Sequence, residues 1–407
     1  MNPHIAIYIS NKDDKHLLIE QIIEGYFFQE FSNLKGVLFS EITLNKFIEE
    51  EMIHGHFDVV TKTKNSLQKS SEGERKKALL NHLISQSPEY IIADNVFGNL
   101  DVAAQTEIEH LLKELSLKAP IIQITTRKGE ILSFIDKVYQ LQENRLVLID
   151  DIDRLNTHSG EVFIDSLPKH YNPTLNKINP LVTFKNVSVK YEGRPILNTI
   201  NWEIQSGEFW QLIGPNGSGK STILSMITGD NPKAFLQDIT LFGMKKGSGE
   251  TVWDIKKHIG YFSSEMLRGF LRSDSIENMI ISGFFDSIGL YKYRTENQKI
   301  IAYKWLRILD MYQIKNKNFL SLSAGNQRLV LIARAMVKNP PLLILDEPTN
   351  GLDDVDANLF VRLINKIASE SDTAILYVSH RKEVGLKPDF VYELVPSESG
   401  SVGKRIK

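Results

Sequence analysis

Hydrophobic positions in this chain fall into short blocks. EFWQLIG (208–214), PLLILDE (341–347) and TAILYVS (373–379) are apolar runs rich in branched residues. That is the pattern of parallel strands buried on both faces. STILSMITG and the GNQRLVLIARAMV stretch between them read as helices. In the first half, PEYIIAD and PIIQIT are the matching strands. Strands alternating with helices predict an α/β fold. No run approaches the roughly 18 apolar residues that cross a bilayer. The start, MNPHIAIYISNKDD, has no basic region followed by a long apolar stretch, so no secretory leader is expected.

The pattern repeats. Ser71 and Ser323 are 252 positions apart, as are Asp94 and Asp346, Asn95 and Glu347, and Asp101 and Asp353. IIQITTRK and ILYVSHRK match at an offset of 254, which pairs Thr126 with His380. Similar apolar strands would arise in unrelated α/β segments; matched polar positions at one offset would not. The copies are unequal. In the second, 141 positions separate Val182 from Ser323, whereas only 70 residues precede Ser71 in the first. The first copy has therefore lost about half of its front lobe. The expected organisation is a shortened, degenerate domain over 1–143, a turn-rich linker over 144–180 and a complete domain over 181–407. Asp150, Asp151 and Asp153 form an acidic cluster in the linker without the spacing of a calcium loop.

Composition narrows the chemistry. With no cysteine among 407 residues, disulfides, iron–sulfur clusters, thiolate zinc sites and cysteine nucleophiles are excluded. The absence also fits a reducing compartment, and a cytoplasmic location is expected. Net charge is −2, which argues against blanketing nucleic acid. Residues 1–180 carry −7 and the remainder +5, a weak, screened attraction between halves.

Gly214-Pro215-Asn216-Gly217-Ser218-Gly219-Lys220-Ser221-Thr222 fits G-x-x-x-x-G-K-[ST], with an apolar strand before and a helix after. Glycines let backbone N–H groups fold round phosphate oxygens, and the helix points its positive end at them. Lys220 would neutralise the β- and γ-phosphates of ATP, and the Ser221 hydroxyl would ligate Mg²⁺. Downstream, the apolar strand LLIL ends in Asp346-Glu347. An acid at the end of a buried strand is costly unless it has a task. Asp346 suits holding Mg²⁺ and Glu347 suits polarising the attacking water.

From about Val182 onward the chain resembles the nucleotide-binding domain of ATP-binding-cassette (ABC) proteins, P-loop NTPases. The segment 214–222 is similar to their Walker A motif, and the strand ending at Asp346 to their Walker B motif. LSAGNQR (322–328) resembles the family signature, with Ser323 and Gly325; NGLD (350–353) resembles the D-loop, with Asp353. The resemblance makes His380 in YVSHR the switch histidine and places Tyr191 where the family stacks an aromatic ring on adenine. One position departs: Ser264 stands where the family usually has a Gln that touches Mg²⁺ and the attacking water. Ser264 can ligate weakly with help from Glu265, which puts coupling and a typical rate in question.

In the family, two domains sandwich ATP. One supplies the P-loop, Walker acids and histidine; the other supplies signature and D-loop. The first copy keeps a signature-like Ser71-Glu72-Gly73-Glu74 and a D-loop-like Gly98-Asn99-Leu100-Asp101. Its own catalytic positions hold Asn95 and Thr126, which cannot serve as base and switch in the same way. Aligned against the P-loop, NKDDKH sets Lys15 on Lys220, with Asp13 and Asp14 where Ser218 and Gly219 lie. The resemblance therefore implies one competent site, built by the second copy and closed by Ser71, Gly73 and Asp101. About one ATP per chain is expected, from pairing of the two halves or of two chains.

Over the whole chain the resemblance extends to tandem ABC ATPases of the ModF group, associated with molybdenum transport; ETVWDIKKHIGYFSS and ISGFFDSIGLY carry it. It implies an ATP hydrolase energising an integral membrane transporter, peripheral at the cytoplasmic face of the inner membrane. The alternative is a soluble ABC ATPase in nucleic-acid repair or regulation. His54-Gly55-His56 reads as surface histidines rather than a metal-ligand pair.

Overall fold

The computed structural model describes residues 3–62, 65–152, 163, 165–168, 178–270, 273–380 and 383–407. The chain forms two compact units, Met1–His158 with Gly351–Asp354, and Ser159–Asn350 with Val355–Lys407.

The first unit is built on strands β1 (Ile5–Tyr8), β2 (Gly36–Phe39), β3 (Tyr90–Asp94), β4 (Ile121–Thr125), β5 (Lys137–Gln142) and β6 (Arg145–Ile149). They lie in the order β2-β3-β4-β1-β5-β6, parallel except for the β5–β6 hairpin. Helices α1 (Lys15–Ile23), α2 (Glu41–His54), α3 (Glu72–Ser85) and α4 (Val102–Ser116) connect the strands. Alternate residues of β3 enter different cores. Tyr90 and Ile92 pack with Leu18, Ile22 and Phe31. Ile91 and Ala93 pack with Leu79, Ile108 and Leu112. Both faces are covered, which is why the strand reads as a continuous apolar run.

The second unit contains β7 (Val182–Tyr191), β8 (Arg194–Ile204), β9 (Phe209–Ile213), β10 (Asp238–Leu241), β11 (Met244–Lys245), β12 (Ile259–Ser263), β13 (Leu342–Asp346), β14 (Ala374–Val378), β15 (Phe390–Val395) and β16 (Val402–Arg405). Its helices are α5 (Lys220–Ile227), α6 (Val252–Lys256), α7 (Ile276–Ser282), α8 (Glu296–Ile308), α9 (Ala324–Met336) and α10 (Asp354–Glu370). One sheet has the order β12-β13-β14-β9-β15-β16, which matches the first unit strand for strand. A second sheet, β11-β10-β7-β8, is antiparallel and has no counterpart among the first unit's described residues.

Register makes the repeat quantitative. Asp94 lies opposite Ile124, and Asp346 opposite Val378. Ile122 lies opposite Ile5, and Leu376 opposite Trp210. Ile5 therefore corresponds to Trp210, and counting along the chain sets Lys15 on Lys220. Both lysines are the first residue of their helix. The P-loop alignment read from the sequence is the one the sheet imposes.

Two segments differ from the sequence reading. Residues 145–149, expected in the linker, form β6 on the edge of the first sheet. Much of the rest of that linker, including Asp153, lies outside the described residues. Among the described residues no helix is long and apolar enough to cross a membrane.

Candidate functional site

In the second unit the loop between β9 and α5 is shaped by backbone that side chains resist. Gly217 and Gly219 sit at φ 77° and 97°, in the left-handed region. A Cβ on Gly219 would come within 2.6 Å of Leu197 Cδ2, so this glycine is required by packing as well as by φ. The loop's amides gather at the start of α5. Ser218 is buried, and its hydroxyl has no hydrogen-bond partner. Such an orphaned group in a phosphate-type loop fits an anionic ligand. Lys220 Nζ donates to the carbonyls of Gly214 (2.7 Å) and Pro215 (3.0 Å), which holds its ammonium against the loop.

The acids at the end of β13 sit beside this loop. Ser221 and Asp346 border one cavity of about 420 Å³, with Tyr261, Trp253 and Arg334 among its other walls. Burial, reinforced by the adjacent Glu347 charge, pushes the Asp346 carboxyl up to about 6. A hydroxyl beside a carboxylate whose charge is disfavoured is a donor set that a divalent cation would satisfy. Among the described residues no group of three or more His, Asp or Glu side chains could hold an ion by itself. Any Mg²⁺ here would need phosphate oxygens as ligands, as nucleotide-bound Mg²⁺ does. Ser264 follows Ser263, which lies opposite Asp346 in the β12–β13 pairing.

Glu347 and His380, far apart in sequence, meet. His380 Nδ1 lies 3.0 Å from Glu347 Oε1, and the His380 side chain is only 4% exposed. A carboxylate partner places the ring proton on Nδ1. Tyr191, the last residue of β7, is 39% exposed, so it is no core side chain. Its hydroxyl accepts from Asn231 Nδ2 at 2.8 Å, and the ring is presented at the end of the antiparallel sheet. Pro215, Asn216 and Thr222 complete the loop and the first turn of α5.

The signature-like segments open helices in both units. Ser323 caps α9 by accepting from Asn326 N (3.3 Å), and Ser71 caps α3 by accepting from Glu74 N (3.4 Å). Ser71 N in turn donates to Glu74 Oε2 at 3.0 Å, completing a capping box. A Cβ on Gly325 would lie 2.2 Å from the Asp356 carboxyl, which would have to turn aside; one on Gly73 would meet Ala104 Cβ at 3.2 Å. Asp101 caps α4 through Ala104 N (2.9 Å), and Asp353 is buried.

The first unit's equivalent of the P-loop is closed. Asp13 accepts from Ser10 N (2.7 Å), and Asp14 caps α1 by accepting from Leu17 N (3.1 Å). Lys15 Nζ pairs with Asp94 Oδ2 at 3.0 Å. Burial raises the Asp94 carboxyl, and the Lys15 charge partly offsets that. His16 stands in the register of Ser221.

Two features escaped sequence reasoning. Tyr261 OH donates to Asp346 Oδ2 at 3.4 Å. Lys76 and Arg328 each hold the loop after their unit's β3 or β13 from a buried position; a cation at the fifth residue of both signature helices was the available signal.

A family model described as ABC transporter matches residues 197–350. The ABC transporter ATP-binding protein ModF of Escherichia coli is 39% identical over 327 residues, covering 77% of this chain and 67% of that protein. An uncharacterized ABC transporter ATP-binding protein of Schizosaccharomyces pombe is 31% identical over 327 residues, 78% of this chain and 66% of that protein. The zinc uptake system ATP-binding protein ZurA of Listeria innocua is 34% identical over 206 residues, 50% of this chain and 77% of that protein. The chain thus spans about two thirds of the length of the first two relatives.

Proposed function

The chain belongs to the ABC ATPases, of the ModF type, a family that binds and hydrolyses ATP, and from that premise we propose that it hydrolyses Mg-ATP at one composite site and energises a membrane transporter. The observation that carries the reading is the asymmetry of the two units. Glu347 and His380 are joined at 3.0 Å beside an open phosphate loop, whereas Asn95 and Thr126 stand at the equivalent positions beside a loop closed by Lys15–Asp94.

In this mechanism the P-loop amides from Gly214 to Thr222 wrap the phosphates, and Lys220 leaves its carbonyl partners to neutralise β- and γ-oxygens. Tyr191 stacks on the adenine. Ser221 and Asp346, with Ser264 nearby, would hold Mg²⁺, which when bound supplies charge stabilisation on the transferring phosphoryl group. Glu347 orients and polarises the attacking water in line with the γ-phosphate. His380 holds the Glu347 carboxylate and senses the γ-phosphate. Ser71, Gly73 and Asp101 close this site, from the same chain or a second one. Ser323, Gly325 and Asp353 face the nucleotide-poor counterpart. The relatives' names, ABC transporter ATP-binding protein and zinc uptake system ATP-binding protein, support a role in transport; we place it at the cytoplasmic face of a membrane with an integral transporter subunit as partner.

Steady-state turnover of the purified chain tests the reading. Glu347→Gln lowers kcat by about a thousandfold. Ser71→Arg also abolishes turnover, and about one ATP is retained per chain in the Glu347→Gln variant. Absence of turnover in the wild type, or two hydrolysable ATPs per chain, overturns it.

A further inference from the structure

The catalytic glutamate sits in a backbone conformation that its residue type resists. Glu347 has φ 46°, in the left-handed region, which costs free energy for a residue with a Cβ. Such a conformation persists only where its surroundings over-determine it. One restraint is the Glu347 amide, which donates to Val378 O at 2.9 Å, and Asn350 N closes the turn on Glu347 O at 3.3 Å. Thr349 Oγ1 donates to Glu383. A further restraint lies on the far side of the loop. Arg328 is buried on α9, and its NH1 donates to Pro348 O at 2.6 Å while NH2 donates to Asn350 O. The two carbonyls belong to the turn that leaves Glu347.

The first unit repeats this arrangement with different side chains. Asn95 has φ 47°, and its amide donates to Ile124 O at 3.2 Å. Lys76, at the Arg328 position on α3, is buried and donates from Nζ to Gly98 O (2.8 Å) and Asn95 O (3.2 Å), with Val96 O at 3.5 Å. Val96 and Gly98 correspond to Pro348 and Asn350. The acid has gone from this copy, yet the turn, the left-handed residue and the buried cation remain. The cation therefore serves the shape of the turn, and an ammonium satisfies it as well as a guanidinium does.

We infer that Arg328 is a positioning residue for hydrolysis: from the signature helix it fixes the turn Pro348–Asn350 and so holds Glu347 in its left-handed conformation, aimed at the reacting water. The inference rests on the proposed catalytic role of Glu347. It makes the signature helix an intramolecular support for the base of its own unit.

The test compares Arg328→Met, which keeps the bulk and removes the donors, with Arg328→Lys, which reproduces Lys76. Arg328→Met should lower kcat by about tenfold to a hundredfold with the KM for ATP within about twofold of wild type, because a misaimed base slows chemistry without weakening binding. Arg328→Lys should restore kcat. In the Glu347→Gln background Arg328→Met should cost less than about twofold in single-turnover rate, since a residue acting through Glu347 has nothing further to lose. Equal losses in both backgrounds, or a change confined to KM, overturn the inference. Amide exchange at Glu347, Thr349 and Asn350 gives a readout that does not need turnover. It should quicken about tenfold in Arg328→Met and recover in Arg328→Lys. Unchanged exchange overturns the inference, whereas a wild type without turnover strikes only at the proposed function.

Discussion

The two units carry the same six-stranded sheet and reach opposite electrostatic solutions at the same corner of it. In the second, Lys220 donates to carbonyl oxygens of its own loop, and Asp346 accepts from Tyr261 OH with its carboxyl raised by burial. In the first, Lys15 and Asp94 neutralise each other directly, and Asp13 and Asp14 occupy neighbouring amides. The first solution is self-sufficient; the second invites a ligand. A site that binds phosphate and metal must leave its charges incompletely satisfied, and losing function allows the fold to satisfy them internally.

Swapping the two lysines for Met gives the widest separation. Lys220→Met should weaken ATP binding by about tenfold to a hundredfold, since charge-assisted hydrogen bonds to phosphate are lost. Lys15→Met should leave ATP affinity unchanged and lower stability by about 2 kcal/mol, because Asp94 is left buried without its partner. Equilibrium dialysis with labelled ATP and urea denaturation read the two effects. An ATP-affinity loss in Lys15→Met would break the comparison.

Opening the closed loop is the next step down. Asp13→Ser with Asp14→Gly removes two internal carboxylates and one helix cap, at a stability cost of about 1 kcal/mol. The double variant should acquire weak triphosphate binding in the first unit, seen as stoichiometry above one per chain at millimolar nucleotide. Unchanged stoichiometry would show that the Lys15–Asp94 pair alone closes the loop.

The smallest effect is a pH slope. Asp94 is raised above its ordinary value, so the folded state holds its proton more tightly than the unfolded chain. Its contribution favours folding at low pH and is lost as pH rises from the unfolded value, about 3.9, through the folded one. Asp94→Asn should flatten that part of the stability profile, and an unaltered slope would show that Lys15 fully compensates burial.

Much of this asymmetry was legible in the residues. The buried strands announced themselves because both faces are covered, and matched polar positions exposed the repeat where apolar similarity alone was ambiguous. Asn95 and Thr126 stand at the positions equivalent to Glu347 and His380, which the repeat showed before any geometry was known. The edges were harder. Gly36–Phe39 is four residues long, and Arg145–Ile149 mixes exposed and half-buried positions without alternation on a hairpin, so neither carries a strong period. Tyr261 and Arg328 were missed for another reason: each acts on residues brought near by folding, and a single sequence holds no distance information.

The antiparallel sheet of the second unit bears on selectivity. Its first strand ends at Tyr191, so the platform proposed for the base and the cradle proposed for the phosphates come from separate sheets. Among the described residues of the first unit there is no such sheet. Point mutations that open the first unit's loop supply a cradle without that platform, so it would hold ATP, GTP and inorganic triphosphate alike.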